Sequence, residues 1–165
     1  MNNTLQWNKG WFSSSTTLMQ NGVEVGKVRE KEFSKTSYAS LHGKSYAFRK
    51  PSSWKQNFQI LGDNEAVIGE VKFANWSNEA TIIFGEDSYH FSASNWWGTG
   101  WDLVNTKNNQ TVVEIEGQFN KGKVAYADVP ESVVLAALVA KSSYESLVTI
   151  IAIVIMIAVI SWGNL

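Results

Sequence analysis

The chain has 165 residues, with 14 basic and 15 acidic side chains, no cysteine, 8 Trp, 5 Tyr and 8 Phe. This length supports a single domain with its own hydrophobic core. The absence of cysteine excludes disulfide bonds, thiolate metal ligands and a cysteine nucleophile. A formal net charge of −1 gives no indication of a nucleic-acid partner.

Charge is nevertheless distributed unevenly along the chain. Residues 1–60 contain nine basic and three acidic side chains, whereas residues 61–128 contain four basic and ten acidic side chains. Such an asymmetry can mark a surface that meets an anionic partner, but interleaved strands would mix the two halves in space.

The N-terminal residues Met1-Asn2-Asn3-Thr4 have neither the basic region nor the apolar region of a secretory signal peptide. We therefore expect the folded domain to face the cytoplasm.

An internal repeat of 43 residues runs through the first two thirds of the chain without a gap. Gly26 corresponds to Gly69, and Phe48 corresponds to Phe91. The other matched pairs are Val25 with Ile68, Val28 with Val71, Phe33 with Trp76, Ser45-Tyr46 with Ser88-Tyr89, Trp54 with Trp97, Phe58 with Trp101, and Ile60 with Leu103. Because glycine and aromatic residues set turns and buried strand faces, the repeated unit is structural. The repeat predicts equivalent backbone sites for Gly26 and Gly69, and equivalent inward sites for Tyr46 and Tyr89.

The repeated region is predicted to form short β-strands. Apolar residues recur at every second position, as in Ala80, Ile82 and Phe84. Turn sequences such as Asn21-Gly22 and His42-Gly43 separate about a dozen such runs between residues 5 and 126. A meander of that many antiparallel strands favours closure into a barrel, because closure removes exposed edges.

Two apolar segments follow the strands. Pro130 and Glu131 are typical of a helix start, and residues 133–140 are all apolar, so this helix has no face suited to water and must be enclosed. Polar residues between Lys141 and Glu145 then mark its exit into solvent. We predict a central helix over about residues 131–146.

The second segment, residues 147–162, contains no charged side chain. With Ser146 it gives about 25 Å of helix, against about 30 Å for the hydrocarbon core of a bilayer. A terminal apolar helix of this kind is typical of a C-terminal membrane anchor. The alternative is that it also packs inside the protein.

The chain resembles the tubby-like superfamily, especially its LURP-one-related and phospholipid scramblase branches. The resemblance covers about residues 5–146 and is carried by the repeat and by elements such as Val25-Gly26-Lys27-Val28, Ile68-Gly69-Glu70-Val71 and Lys44-Ser45-Tyr46-Ala47-Phe48. It implies a twelve-stranded closed antiparallel barrel around a central hydrophobic C-terminal helix, followed here by a second apolar helix. The domains are then a tubby-like barrel over residues 1–146 and an apolar tail over residues 147–165, a membrane anchor.

The chain departs from that family in two respects. It lacks the proline-rich extension and the palmitoylated cysteine run of the scramblase branch. The basic cluster with which tubby domains bind phosphoinositides also cannot be placed on this sequence residue by residue.

No catalytic motif is present, and we expect no enzyme activity, no metal site and no cofactor. His42 in a turn and His90 on an outward strand face are too few for a zinc site and are expected to be solvated.

Two features are candidates for ligand binding. Four cations, Lys44, Arg49, Lys50 and Lys55, bracket Pro51-Ser52-Ser53 and would favour an anionic lipid surface. Trp96, beside Gly98 and Gly100, could form a stacking platform. Trp97 and Trp101 are predicted to line the core, because the repeat aligns them with Trp54 and Phe58.

These observations predict a non-enzymatic, membrane-associated module that binds lipid head groups or a membrane partner, with its barrel facing the cytoplasm. The alternatives are a soluble ligand-binding or structural barrel with a buried C-terminal helix, and scramblase-like lipid transfer. The sequence does not determine the oligomeric state.

Overall fold

The computed structural model describes residues 1–10, 13–30, 35–51, 57–74, 77–118 and 120–163. They form twelve β-strands, a short 3₁₀ helix at Asp63–Glu65 and one α-helix, α1, at Glu131–Gly163. The strands are β1 Asn3–Lys9, β2 Ser15–Gln20, β3 Val23–Arg29, β4 Thr36–Leu41, β5 Lys44–Arg49, β6 Phe58–Leu61, β7 Val67–Phe73, β8 Glu79–Phe84, β9 Asp87–Ala93, β10 Gly100–Asn105, β11 Gln110–Gln118 and β12 Lys121–Tyr126.

The twelve strands form a closed antiparallel barrel in which each strand pairs with its neighbours in sequence. Closure is made by β1 and β12, with Asn3 opposite Tyr126 and Asn8 opposite Lys121. This confirms the predicted fold class. Because every strand has two partners, no edge is left unpaired.

The register of the strands agrees with the 43-residue repeat at its two glycines. Gly26 lies opposite Leu41 on β4, and Gly69 lies opposite Phe84 on β8, which is the same pairing 43 residues later. Tyr46 and Tyr89 both face the core, Tyr46 partly buried against it and Tyr89 2% exposed. Each of these two pairs therefore occupies matching positions in the barrel.

The first part of α1 fills the barrel, as the sequence predicts. Residues 133–140 are buried, each with 7% exposure or less. The barrel surrounds them with the inward side chains of its strands, which include Leu18, Phe48, Ile82, Phe91 and Ile115. An all-apolar helix is stable here because no side of it meets water.

The two apolar segments are consecutive parts of one continuous helix. A helix of 33 residues is about 50 Å long, whereas strands of six or seven residues are about 20 Å long. The barrel therefore encloses less than half of α1. In the second part, the described side chains of residues 149 and 152–157 are all exposed.

A membrane anchor is expected over residues 147–165 from the sequence. Within the part of the chain that the structure describes, no helical stretch combines the length and the hydropathy of a transmembrane span.

A first prediction concerns the enclosed helix. Leu135 is fully buried in the barrel, so Leu135→Asp places a charge where it has no partner and should cost several kcal/mol. We expect the variant to lose cooperative thermal unfolding and its near-ultraviolet circular dichroism. Ile155→Asp, on the exposed part of the same helix, is the matched control and should melt like the wild type. Cooperative melting of Leu135→Asp would show that the barrel is not closed around α1.

A second prediction tests the repeat. A Cβ atom at Gly26 or at Gly69 would lie closer than 3.0 Å to a backbone carbonyl oxygen of the neighbouring strand, that of Ser40 or Ile83. Gly26→Ala and Gly69→Ala should each lower stability by about 1–3 kcal/mol, measured by denaturant unfolding. Gly62→Ala, where the added Cβ meets only the Ile68 side chain, should have a smaller effect. A neutral substitution at one of the two repeat glycines would contradict their equivalence.

Candidate functional site

The two ends of the barrel have different relations to α1. We call the end at which α1 begins the entry end, and the end at which α1 leaves the barrel the exit end. Because the sheet is a meander, its hairpin connections alternate between the two ends. The exit end is the candidate site, since the exposed apolar part of α1 emerges from it.

At the entry end, the first residue of α1 is held by two side chains of the β4–β5 hairpin, those of His42 and Lys44. The Glu131 carboxylate lies 2.7 Å from Nδ1 of His42 and 3.5 Å from Nζ of Lys44. Nε2 of His42 lies 3.1 Å from the side-chain oxygen of Gln20. His42 is exposed, as the sequence predicts, and it also forms part of the contact that fixes the start of α1.

At the exit end, the side chain of Lys141 is only 3% exposed. It donates to the Glu145 carboxylate one helical turn later, and its ammonium lies 4.7 Å from the centre of the Trp7 ring. Burial lowers the pKa of Lys141, and the Glu145 charge opposes this effect. The sequence predicted solvent at this point. Instead, the ion pair and the indole lie where α1 passes out of the barrel.

An aromatic stack closes the other side of the exit end. Tyr144 stacks on Trp101 with ring centroids 5.3 Å apart, and Trp101 stacks on Phe91 at 5.0 Å. Phe73 contacts the Tyr144 ring edge to face at 5.2 Å. The Tyr144 hydroxyl donates to the backbone carbonyl of Glu79, so α1 is joined to β8 by a hydrogen bond.

The connection between β9 and β10 projects from the exit end next to this stack. It presents Trp96 with 94% and Trp97 with 83% of its surface exposed. The core position predicted for Trp97 is wrong, whereas that predicted for Trp101, at 3% exposure, is confirmed. The repeat aligned Trp97 with Trp54, but an alignment of positions along the chain does not determine whether a side chain is buried. The position of Trp97 in a connection just before Gly98 is the signal that could have shown this.

The four predicted cations do not form one cluster. Lys44 lies at the entry end, and Arg49 and Lys50 lie at the exit end, because the six residues of β5 separate them by about 17 Å. Arg49 forms an ion pair with Glu65 at 3.0 Å, and the Lys50 ammonium lies 5.1 Å from the centre of the Phe58 ring. Lys55 lies outside the described residues.

Charge differs in sign between the two ends. We count the described residues that begin or end a strand, begin α1, or lie in a connection. Arg49 and Glu65 are not counted, because their ion pair joins a strand end at one end of the barrel to a connection assigned to the other. The exit end then has five basic residues, Lys9, Arg29, Lys35, Lys50 and Lys121, and two acidic residues, Glu30 and Glu79. The entry end has two basic residues, Lys44 and Lys107, and five acidic residues, Asp63, Glu86, Asp87, Asp128 and Glu131. The asymmetry seen along the sequence is thus an asymmetry along the barrel axis.

The described residues offer no arrangement for metal chemistry, since among them no group of three or more His, Cys, Asp or Glu is placed to hold a metal ion. The exit end instead combines exposed indoles, basic strand ends and an apolar helix. This combination suits contact with a partner that has an apolar interior and an anionic or polar surface layer.

Comparison with known proteins supports the fold alone. No family model matches the chain, and no curated protein matches it. The structure is similar to a crystal structure of a protein from Arabidopsis thaliana, with a TM-score of 0.58 and 15% sequence identity. The match covers 86% of this chain and 90% of the Arabidopsis chain.

A third prediction follows from Tyr144. Burial raises the pKa of this phenol to about 12 in the folded protein, whereas that of an unfolded chain is about 10. Between these pH values the unfolded chain loses the proton and the folded chain keeps it, so stability falls as pH rises from about 10 to 12. Tyr144→Phe should be about 1 kcal/mol less stable at pH 7, because the carbonyl of Glu79 loses its donor.

The same variant should lose stability less steeply than the wild type above pH 10, measured by urea unfolding from pH 7 to 11. Burial also raises the pKa of Tyr46, Tyr89 and Tyr126, so part of the alkaline slope will remain. Identical slopes in the two proteins would show that Tyr144 ionises freely in the folded state.

Proposed function

We propose that this protein is a non-enzymatic, membrane-associated module whose C-terminal helix contacts a lipid bilayer. The observation that carries the proposal is the exposure of α1 beyond the exit end. Five large apolar side chains there, Ile153, Val154, Ile155, Met156 and Ile157, are 50–61% exposed.

The exposed side chains point in every direction around the helix. Residues 152–157 are consecutive and all exposed, and successive residues of an α-helix are rotated by about 100°, so six of them cover all faces. A single partner helix or groove would cover one face and leave the others in water. The acyl chains of a bilayer cover all faces at once, which is why we favour lipid as the surrounding medium.

The free energy of removing these side chains from water also favours contact with lipid. Full burial of a side chain such as Ile or Met is worth about 1.5–3 kcal/mol, so five half-exposed side chains gain several kcal/mol on leaving water.

We also propose that the barrel is a divergent member of the tubby-like superfamily. The twelve-stranded closed barrel, the enclosed helix near the C-terminus and the 43-residue repeat support this assignment. The likeness to the Arabidopsis structure is consistent with it at the level of the fold.

The test of the lipid proposal is flotation of the full-length protein with phospholipid vesicles on a density gradient. The wild type should float with the vesicles. The variant Ile153→Lys/Ile155→Lys/Ile157→Lys should bind the vesicles at least about a thousandfold more weakly, since each lysine inside a bilayer costs about 3 kcal/mol. It should therefore stay at the bottom of the gradient. It should melt like the wild type, because these side chains are at least half exposed.

Val23→Lys/Val67→Lys is the matched control, because both valines are exposed and lie at the entry end. This variant should float like the wild type. A wild-type protein that stays at the bottom of the gradient would contradict the proposal and favour a soluble ligand-binding or structural barrel. Flotation of the triple lysine variant would show that another part of the chain binds the lipid.

A further inference from the structure

The connections at the two ends of the barrel differ in aromatic content. The six at the entry end, residues 21–22, 42–43, 62–66, 85–86, 106–109 and 127–130, contain no Trp, Tyr or Phe. At the exit end, the connection over residues 94–99, which the structure describes in full, contains Trp96 and Trp97.

The exposure of Trp96 and Trp97 is held by the structure of their connection. The side chain of Asn95 accepts a hydrogen bond from the backbone N–H of Thr99 at 3.1 Å, and the backbone N–H of Gly98 donates to the Asn95 carbonyl at 3.2 Å. The buried Trp101 donates from Nε1 to the Gly98 carbonyl at 3.0 Å. Gly98 has a φ of +66°, which glycine adopts at low cost. These three hydrogen bonds thus fix a turn that exposes both indoles to solvent.

Two indoles exposed on a fixed turn are costly in water but favourable at a membrane boundary. Trp is enriched at the interface between lipid head groups and acyl chains, because its ring is apolar and its N–H is polar. The turn of Trp96 and Trp97 lies at the end of the barrel from which the apolar part of α1 emerges. A bilayer that surrounds α1 therefore lies against this end of the barrel.

The charges of the two barrel ends also favour contact between the exit end and an anionic bilayer. The exit end carries the excess of basic residues and the entry end the excess of acidic residues, so an anionic leaflet attracts the first and repels the second. The exposed part of α1, the exposed indoles and the excess of basic residues are independent observations. All three identify the exit end as the end that faces the bilayer.

We propose that the exit end of the barrel lies on the surface of an anionic bilayer, with Trp96 and Trp97 in its interfacial layer and the entry end directed away from it. This inference rests on the proposed function, in which α1 contacts the bilayer. It adds the orientation of the barrel and a second, direct contact between barrel and lipid.

The absence of cysteine allows one label to be placed at a chosen site. The full-length protein carries either Trp96→Cys or, as the matched control at the entry end, Glu86→Cys, each labelled with an environment-sensitive fluorophore. Both are added to vesicles of phosphatidylcholine with phosphatidylserine, with or without nitroxide-bearing lipid. The label at position 96 should shift its emission to the blue and be quenched by the nitroxide, while the label at position 86 should do neither. In vesicles of phosphatidylcholine alone, the shift at position 96 should be smaller.

Flotation of the same samples separates the two proposals. If the labelled proteins float but both labels or neither respond to the lipid, the proposed orientation is wrong and the proposed function stands. If the proteins do not float, both proposals fail. An equal response in phosphatidylcholine alone would overturn the preference for an anionic leaflet.

Discussion

The structure depends on the need to remove an entirely apolar helix from water. Residues 133–140 have no polar face, so an open sheet would cover one side of this helix and leave the other exposed. A closed barrel covers all sides, and the helix in turn fills an interior that twelve strands would otherwise leave hollow. Barrel and helix are therefore each unstable without the other. The order of the chain follows the same logic, since the helix comes after the last strand has completed the wall.

The ends of the barrel are specialised because the helix enters at one and leaves at the other. At the entry end, Glu131 meets His42 and Lys44, a polar contact that suits an end in water. At the exit end, Lys141 covers the Trp7 ring and Tyr144 continues the stack on Trp101. The boundary between enclosed and exposed helix is thus made of aromatic rings and one shielded ion pair. Such a boundary is compatible with an apolar medium directly beyond it.

Much of the fold could be predicted from the sequence because periodic sequence patterns specify it. Alternation of apolar residues, turn sequences and the 43-residue repeat together fix strands, hairpins and closure. The continuity of α1 could not be predicted in the same way. The polar residues from Lys141 to Glu145 look like an interruption, yet Lys141 and Glu145 are one turn apart and neutralise each other, so the helix continues.

The candidate site was harder to predict, for a geometric reason. Lys44, Arg49 and Lys50 are close in sequence, but a strand extends the chain and carries Lys44 to the opposite end from the other two. Residues that share a site here come from alternate connections, far apart in the chain. Charge and aromatic content become informative only after each connection has been assigned to an end of the barrel.

The continuity of α1 also has a mechanical consequence. The helix that fills the core and the helix that projects from it form one rod, with no flexible linker between them. A pull on the projecting part is transmitted along the backbone hydrogen bonds of the helix to the centre of the domain. There the load is shared by the buried Lys141, by the Tyr144 hydrogen bond to β8 and by the Glu131 contacts at the far end. Extracting the rod would leave the barrel without its core, so the domain cannot lose this helix and remain folded.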